Sequence, residues 1–228
     1  MMRRKLNPKF DSKPSIHHEF NYKIARPYIR NKKVLDIGCW TGQFEKLAIK
    51  TVEQILGIDL EKEVIDCAKK LVPEAAFRVG SALNLPFSNK SFDCIVLLDV
   101  IEHLPLNTEN KALGEIKRVL KPKGYLILST PSNHIFSILL DPAFFLIGHR
   151  HYSIKKIKKL LQNQGFKIVK IYKTGGIYCL FSNLTQILVK HLINKKINFS
   201  AKFKEKIKNE YLKGGFVQIH IIAKNQKQ

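Results

Sequence analysis

The sequence predicts an α/β fold, a single domain over residues 1–228 built on a mostly parallel sheet. Three observations predict it. Short apolar runs of strand length alternate with helical patterns along most of the chain, the signature of repeated βαβ units. The 228 residues, 45% of them hydrophobic, suit one full core. A glycine-punctuated turn follows the first run, "VLDIGCWTGQF" at 34–44, and an acid, Asp59, ends the second. Such turns at the carboxyl ends of parallel strands are where ligands bind in doubly wound sheets.

Taken in order, strands are expected near 33–38, 54–59, 75–79, 92–98, 123–130, 167–172 and 216–224, and helices near 15–30, 43–51, 62–71, 108–120 and 153–164. Thr108 is the expected N-cap of the fourth helix, and Lys121-Pro122-Lys123-Gly124 the turn that ends it. Two stretches break the alternation. Pro131 to His151 is rich in Phe, Leu and Ile, and Gly175 to Gly215 holds an apolar segment followed by a Lys-rich helix. Both read as additions to a common core, spanning about 131–152 and 175–215.

Composition excludes several classes. No apolar run reaches the roughly 18 to 20 residues needed to span a bilayer. The start, Met1 to Pro8, has basic residues without an apolar stretch behind them, so the cytoplasm is the expected location. Cys39, Cys67, Cys94 and Cys179 lie far apart with no Cys-x-x-Cys, which argues for reduced core residues and no bound metal. The formal charge of +22 fits nucleic acid, an anionic membrane surface or a polyanionic substrate, and equally a set of solvated lysine faces such as Lys155 to Lys159 and Lys202 to Lys208.

At the turn itself, Gly38 admits close approach of a ligand and Gly42 lets the next helix pack on the strand. The dinucleotide fingerprint G-x-G-x-x-G is absent, because Cys39, Trp40 and Thr41 follow Gly38. That disfavours a pyrophosphate and with it a nicotinamide oxidoreductase. A carboxylate at the place of Asp59 can accept two hydroxyl protons of a ribose diol, so the pair of features suits an adenosine-like group without a phosphate. Either feature alone is common: glycines end many strands, and an Asp at a strand end often caps a helix.

Downstream lie "GSALNLPFSNKSFDCIVLLDVIEHL" (80–104) and "EIKRVLKPKGYLILSTP" (115–131). With the turn and Asp59 in order before them, the chain resembles the class I S-adenosylmethionine-dependent methyltransferases. The likeness is to the small-molecule group with the L-P-F…F-D and R-V-L-K-P-x-G signatures, and it runs from about Val34 to Ile171. The resemblance implies a Rossmann-like, seven-stranded sheet with the last strand antiparallel, and S-adenosylmethionine as cofactor. It places Asp36, Gly38, Cys39 and Gly42 along the methionine part and Asp59 at the ribose. Leu60 and Leu83 would flank the adenine, with Ser81 and Ala82 beside it, and Asp99 and Val100 at the end of the fourth strand complete the implied cofactor set. The family often has an acid where this chain has Ser81, and a small residue where it has Trp40, whose indole would turn to the cofactor rim or to a neighbouring loop.

A sulfonium methyl donor is already activated, so positioning and exclusion of water can carry catalysis. If the acceptor must lose a proton, the candidates are Asp99, Glu102, His103, His149, His151 and Tyr152. A helix near 15–30, with His17, His18 and Tyr22, is the expected lid. The expected acceptor is a small molecule, hydrophobic or lipid-like, met by the apolar additions, which could instead form a helical cap, a dimer contact or a membrane contact. The alternatives are RNA methylation on the basic surface, and a non-catalytic binding module that keeps the fold.

Overall fold

The computed structural model describes residues 13–141, 144, 148–193 and 197–226. The elements run α1 (Ile16–Ile29), β1 (Lys33–Ile37), α2 (Gln43–Ala48), β2 (Gln54–Asp59), α3 (Lys62–Leu71), β3 (Ala76–Val79), β4 (Phe92–Leu98), a 3-10 turn (Ile101–His103), α4 (Glu109–Val119) and β5 (Leu120–Pro131). After them come α5 (Ile135–Leu139), α6 (Ile154–Asn163), β6 (Phe166–Thr174), α7 (Ile177–Ile193), α8 (Ala201–Lys213) and β7 (Gln218–Asn225). The seven strands form one sheet in the order β3-β2-β1-β4-β5-β7-β6. All pairings from β3 to β5 are parallel, and β7 runs antiparallel between β5 and β6. No helix among the described residues is long and apolar enough to cross a membrane.

The central strands are buried on both faces, as parallel sheets require. Side chains alternate between two layers. Val34, Cys94, Val96, Ile127 and Ile222 pack with Ile24, Ala25 and Ile29 of α1 and Phe44 and Ala48 of α2. Leu35, Ile95, Leu97, Leu126 and Ile221 pack with Ala112, Leu113 and Ile116 of α4 and Ile157 and Leu161 of α6. The sheet's order reverses at β1 and β4, whose carboxyl ends therefore open side by side.

Some local expectations are corrected. The helix expected over 43–51 ends at Ala48, where the chain closes in tight turns with Thr51 N–H donating to the Ala48 carbonyl. Thr108 sits at the N-cap position but does not cap: its hydroxyl donates to the Pro105 carbonyl at 2.7 Å. The Lys121 to Gly124 turn lies inside β5, as a register shift opposite Phe92 and Cys94, with Lys123 left-handed at φ 65°. Of the first addition, residues 142–143 and 145–147 lie outside the described residues, as do 194–196 of the second and the start Met1 to Pro8. The helices described there are α5 in the first and α7 and the lysine-rich α8 in the second.

The two sequence signatures are hydrogen-bond hubs. Arg118 donates to the Leu85 and Phe87 carbonyls, to Asn89 Oδ1 and to both oxygens of Glu115, while Glu115 accepts the Leu85 N–H. Loop 85–89 is thereby tied to α4. Asp93 accepts the Lys33 N–H and the Lys121 ammonium, joining the starts of β1, β4 and β5. Replacing Arg118 with Met strands several of these acceptors, so we expect a loss of about 2 kcal/mol in unfolding free energy. Urea denaturation measures it, and an unshifted midpoint would mean that the loop is held by its apolar contacts alone.

Candidate active site

The turn after β1 is built from backbone in the left-handed region. Gly38, Trp40 and Gly42 have φ of 78°, 48° and 84°. A Cβ on Gly38 would stand 2.2 Å from Val100 Cγ2, so only glycine lets the turn lie against the end of β4. Gly38 and Cys39 both donate N–H groups to the Ile58 carbonyl, at 2.7 and 3.0 Å. Trp40 holds a conformation that suits glycine, at an intrinsic cost of about 1–2 kcal/mol. Its N–H donates to Asp59 Oδ2 at 3.2 Å, and Asp59 Oδ1 accepts from the Glu61 N–H. Each Asp59 oxygen so engaged keeps a second lone pair for a ligand hydroxyl. Next to it Leu60 is 70% exposed, an apolar side chain left uncovered at the rim.

Beneath the turn lies a pair of buried carboxyls, Asp36 and Glu45. Asp36 Oδ1 and both oxygens of Glu45 have no hydrogen-bond partner. Burial pushes Asp36 up to about 7, and burial together with the Asp36 charge pushes Glu45 well above the usual range. Burial also raises the Cys39 thiol, which stays protonated and unreactive. Across the turn, Ser81 Oγ accepts the Leu83 N–H, Ala82 is buried in the core and Leu83 packs on its edge.

At the end of β4, Asp99 adopts φ 54° and is fully engaged: Oδ1 accepts from Ser129 Oγ at 2.9 Å, and Oδ2 meets His17 Nε2 of α1 at 2.7 Å. The expected lid helix is thus docked through an ion pair at the site. Ser15 caps it, with its Oγ accepting the His18 N–H and its own N–H donating to His18 Nδ1. Tyr22 ties its middle to Thr51.

The 3-10 turn then presents Glu102 and His103 to the first addition. Glu102 Oε2 accepts from Thr130 Oγ1, while Oε1, with no hydrogen-bond partner, faces His149 Nε2 at 3.7 Å. The His103 and His149 rings stack 4.8 Å apart. Asp141 Oδ2 lies 2.6 Å from His149 Nδ1 and 2.9 Å from His151 Nε2, and His151 Nδ1 donates to the Ser132 carbonyl. Burial raises Glu102 to about 7; it would lower His149, but the Asp141 hydrogen bond and Glu102 hold that imidazole up at about 9. Arg150, between the two histidines, locks the arrangement by donating to the Ile101 and Glu102 carbonyls and to Glu109.

These groups line a cavity of about 340 Å³. Asp99, Glu102, His103, His149 and His151 from the expected catalytic set all face it, joined by Asp141 and by Leu180, Asn183 and Gln186 of α7. Tyr152 does not: it is fully buried and donates its hydroxyl to Glu109 Oε1. Sequence reasoning also overlooked Asp141 and Glu45, and it named His17 only with the lid helix, without its pairing to Asp99. The available signals were an acid inside an apolar stretch, an acid on the turn-proximal face of a short helix, and a histidine at a helix start.

The His17 pair gives a pH dependence. Burial opposes the charge on His17, but the attraction and hydrogen bond of Asp99, aided by Glu102, raise it above its ordinary 6.5. Its titratable neighbours stay neutral: burial and the His17 charge lower His220 of β7 to about 3 and His18, next along α1, to about 4, and burial raises Tyr211 of α8. Asp99 is held far below its ordinary 3.8, against burial, by His17 and Ser129. Stabilisation from a raised imidazole is complete below 6.5 and disappears as pH rises through its folded value. Docking of α1 should therefore weaken on the alkaline side, and His17→Phe should remove that dependence. Hydrogen exchange of the α1 amides across pH 6 to 10, corrected for intrinsic rates, measures it; equal slopes in both proteins would refute the assignment.

Comparison with known proteins agrees with this geometry. The methyltransferase domain family matches residues 35–128. A Mycolicibacterium smegmatis protein named "probable S-adenosylmethionine-dependent methyltransferase" is 27% identical over 151 residues, covering 66% of this chain and 58% of that protein. An uncharacterized Methanocaldococcus jannaschii protein is 30% identical over 199 residues, covering 84% of this chain and 80% of the relative. A demethylmenaquinone methyltransferase of Thermotoga maritima is 32% identical over 102 residues, 44% of each chain. The chain thus spans less than two thirds of the first and third of these relatives. Among solved structures, the [4+2]-cyclase SpnF superposes with a TM-score of 0.68 at 18% identity, covering 92% of this chain and 82% of that one. The left-handed glycine turn, the strand-end acid and the reversed strand order agree with the sequence match, and the chain belongs to the class I S-adenosylmethionine-dependent methyltransferases.

Proposed function

We propose that this protein transfers a methyl group to a small molecule with a polar, hydroxyl-bearing head and an apolar body. The observation that supports it most is the position of the cavity: its wall residue Asp99 directly precedes Val100, which packs on Gly38 of the cofactor turn. Cofactor turn and acceptor pocket thus share a wall. S-adenosylmethionine, when bound, supplies the electrophilic methyl. On this reading Asp59 takes the ribose hydroxyls, and Asp36, Gly38, Cys39 and Gly42 line the methionine portion. Leu60, Ser81, Ala82 and Leu83 border the adenine, Trp40 closes the rim, and Asp99 with Val100 separates cofactor from acceptor.

The pocket combines acids and histidines with the apolar Pro131, Leu140, Leu180 and Val217. Acids and histidines form its floor, and Glu102 Oε1, facing His149, is placed to take a hydroxyl proton from the acceptor. The apolar character continues outside, where Ile135, Phe136 and Leu139 of α5 and Ile177 and Phe181 of α7 are each more than half exposed. Those side chains suit the apolar body of the acceptor, and the name of the Thermotoga maritima relative is consistent with such a substrate.

Calorimetric titration with S-adenosylmethionine and S-adenosylhomocysteine is the first test. Micromolar binding is expected, and absence of binding to a folded protein would overturn the reading. Asp59→Ala should weaken binding by about 1.5–3 kcal/mol, the scale of hydrogen bonds to a charged group. Gly38→Val should abolish it, because the new side chain would overlap Val100. With radiolabelled cofactor and a panel of hydroxylated amphiphiles, Glu102→Gln should lower kcat by about a hundredfold or more while leaving cofactor affinity intact.

A further inference from the structure

We infer that Asp141, His149 and His151 form a binding site for one divalent transition-metal ion, of the zinc or cobalt type, opening into the acceptor cavity. The side-chain chemistry of His151 leads there. Its Nδ1 faces the Ser132 carbonyl at 2.8 Å, and a carbonyl oxygen only accepts, so Nδ1 carries the proton. In the neutral ring Nε2 is then a bare lone pair, yet it points at a carboxylate oxygen of Asp141 2.9 Å away. Two lone pairs do not hold that distance unaided. Something electropositive belongs between them, either a second proton or a metal ion.

Three features favour the metal ion. The first is convergence: His149 Nδ1 meets the same Asp141 oxygen at 2.6 Å, a proton-bridged contact whose proton an entering ion displaces, so two imidazoles and one carboxylate converge on a single place, their ligand atoms all within 4.8 Å of one another. Two nitrogens and one carboxylate oxygen are a donor set that takes zinc and its neighbours and leaves further positions open. The second is the outer support. A ligating imidazole ordinarily gives its other N–H to a carbonyl or carboxylate. His151 gives its Nδ1 proton to the Ser132 carbonyl. The third is access, because all three ligands line the cavity.

The alternative trio Glu102, His103 and His149 also gathers within 4.8 Å, but its Glu102 and His149 stand 3.7 Å apart, whereas Asp141 lies within 2.9 Å of both of its imidazoles. The inferred ion would take an acceptor oxygen at an open position and make its hydroxyl more acidic. This narrows the acceptor to an oxygen nucleophile, and for that step alone it rests on the methyltransferase reading.

The test uses the full chain stripped with a chelator and titrated with Co2+, whose visible absorption reports ligand number, and with Zn2+ in competition. Saturation at one ion per chain, in a four- or five-coordinate spectrum, is expected. Asp141→Asn and His151→Ala should each weaken it at least about a hundredfold, and His103→Ala should leave it within about threefold. Circular dichroism and S-adenosylmethionine titration are run on every variant. Native cofactor binding without stoichiometric Co2+ would overturn the metal site and spare the methyltransferase reading; Co2+ binding without cofactor binding would do the reverse. Loss of the ion in His103→Ala with retention in His151→Ala would overturn the assignment of ligands.

Discussion

The approach of Gly38 to Val100 is the constraint on which the site depends. With a Cβ position only 2.2 Å from Val100 Cγ2, the β1 turn and the end of β4 are in contact with nothing between them. Parallel pairing of β1 with β4 brings the two ends level, and the left-handed turn then bends away to leave a crevice on either side. One side holds the glycine turn and Asp59. The other is the cavity walled by Asp99 and the residues after it. A separation set by van der Waals contact keeps both halves in register without any lid having to close.

Around that contact, charge is distributed unevenly. The side of the glycine turn carries the buried carboxyls Asp36 and Glu45, whereas the cavity side carries carboxylates matched with imidazoles: Asp99 with His17, and Asp141 and Glu102 with His149. None of these groups is held by exposed pairs of the kind that contribute little. The large positive charge of the chain is a different matter. It resides in lysines on the outer faces of helices such as α6 and α8, and it takes no part in building the site.

Legibility in the sequence followed the range of the interactions. The strands, the glycine turn and Asp59 are written in local pattern, and the Arg118 and Asp93 hubs could be recognised as signatures although their partners could not be named. His17 and Asp99, 82 positions apart, are joined only because α1 packs across the sheet, and no periodicity announces that. Asp141 lay hidden in an apolar stretch, and its meeting with His149 and His151 depends on how the first addition folds back over the 3-10 turn, where Arg150 binds backbone carbonyls. Tyr152 looked like a site residue because it follows His151, yet the next side chain along points the opposite way, into the core. Thr108 stood in the right place with the wrong hydrogen bond, its hydroxyl turned to donate to the Pro105 carbonyl instead of accepting an N–H of the first helical turn. The likeness to SpnF, described as a cyclase, shows why the fold alone would have been a poor guide to activity, and why the side chains of the additions matter more.

Trp40 is the only tryptophan in the chain, and it sits in the turn with its backbone held by Asp59. An indole at that point is an optical probe installed by the sequence. Its emission comes from one known position in the glycine turn, uncontaminated by any other indole, so any ligand that occupies the turn can be followed in real time in the unlabelled protein.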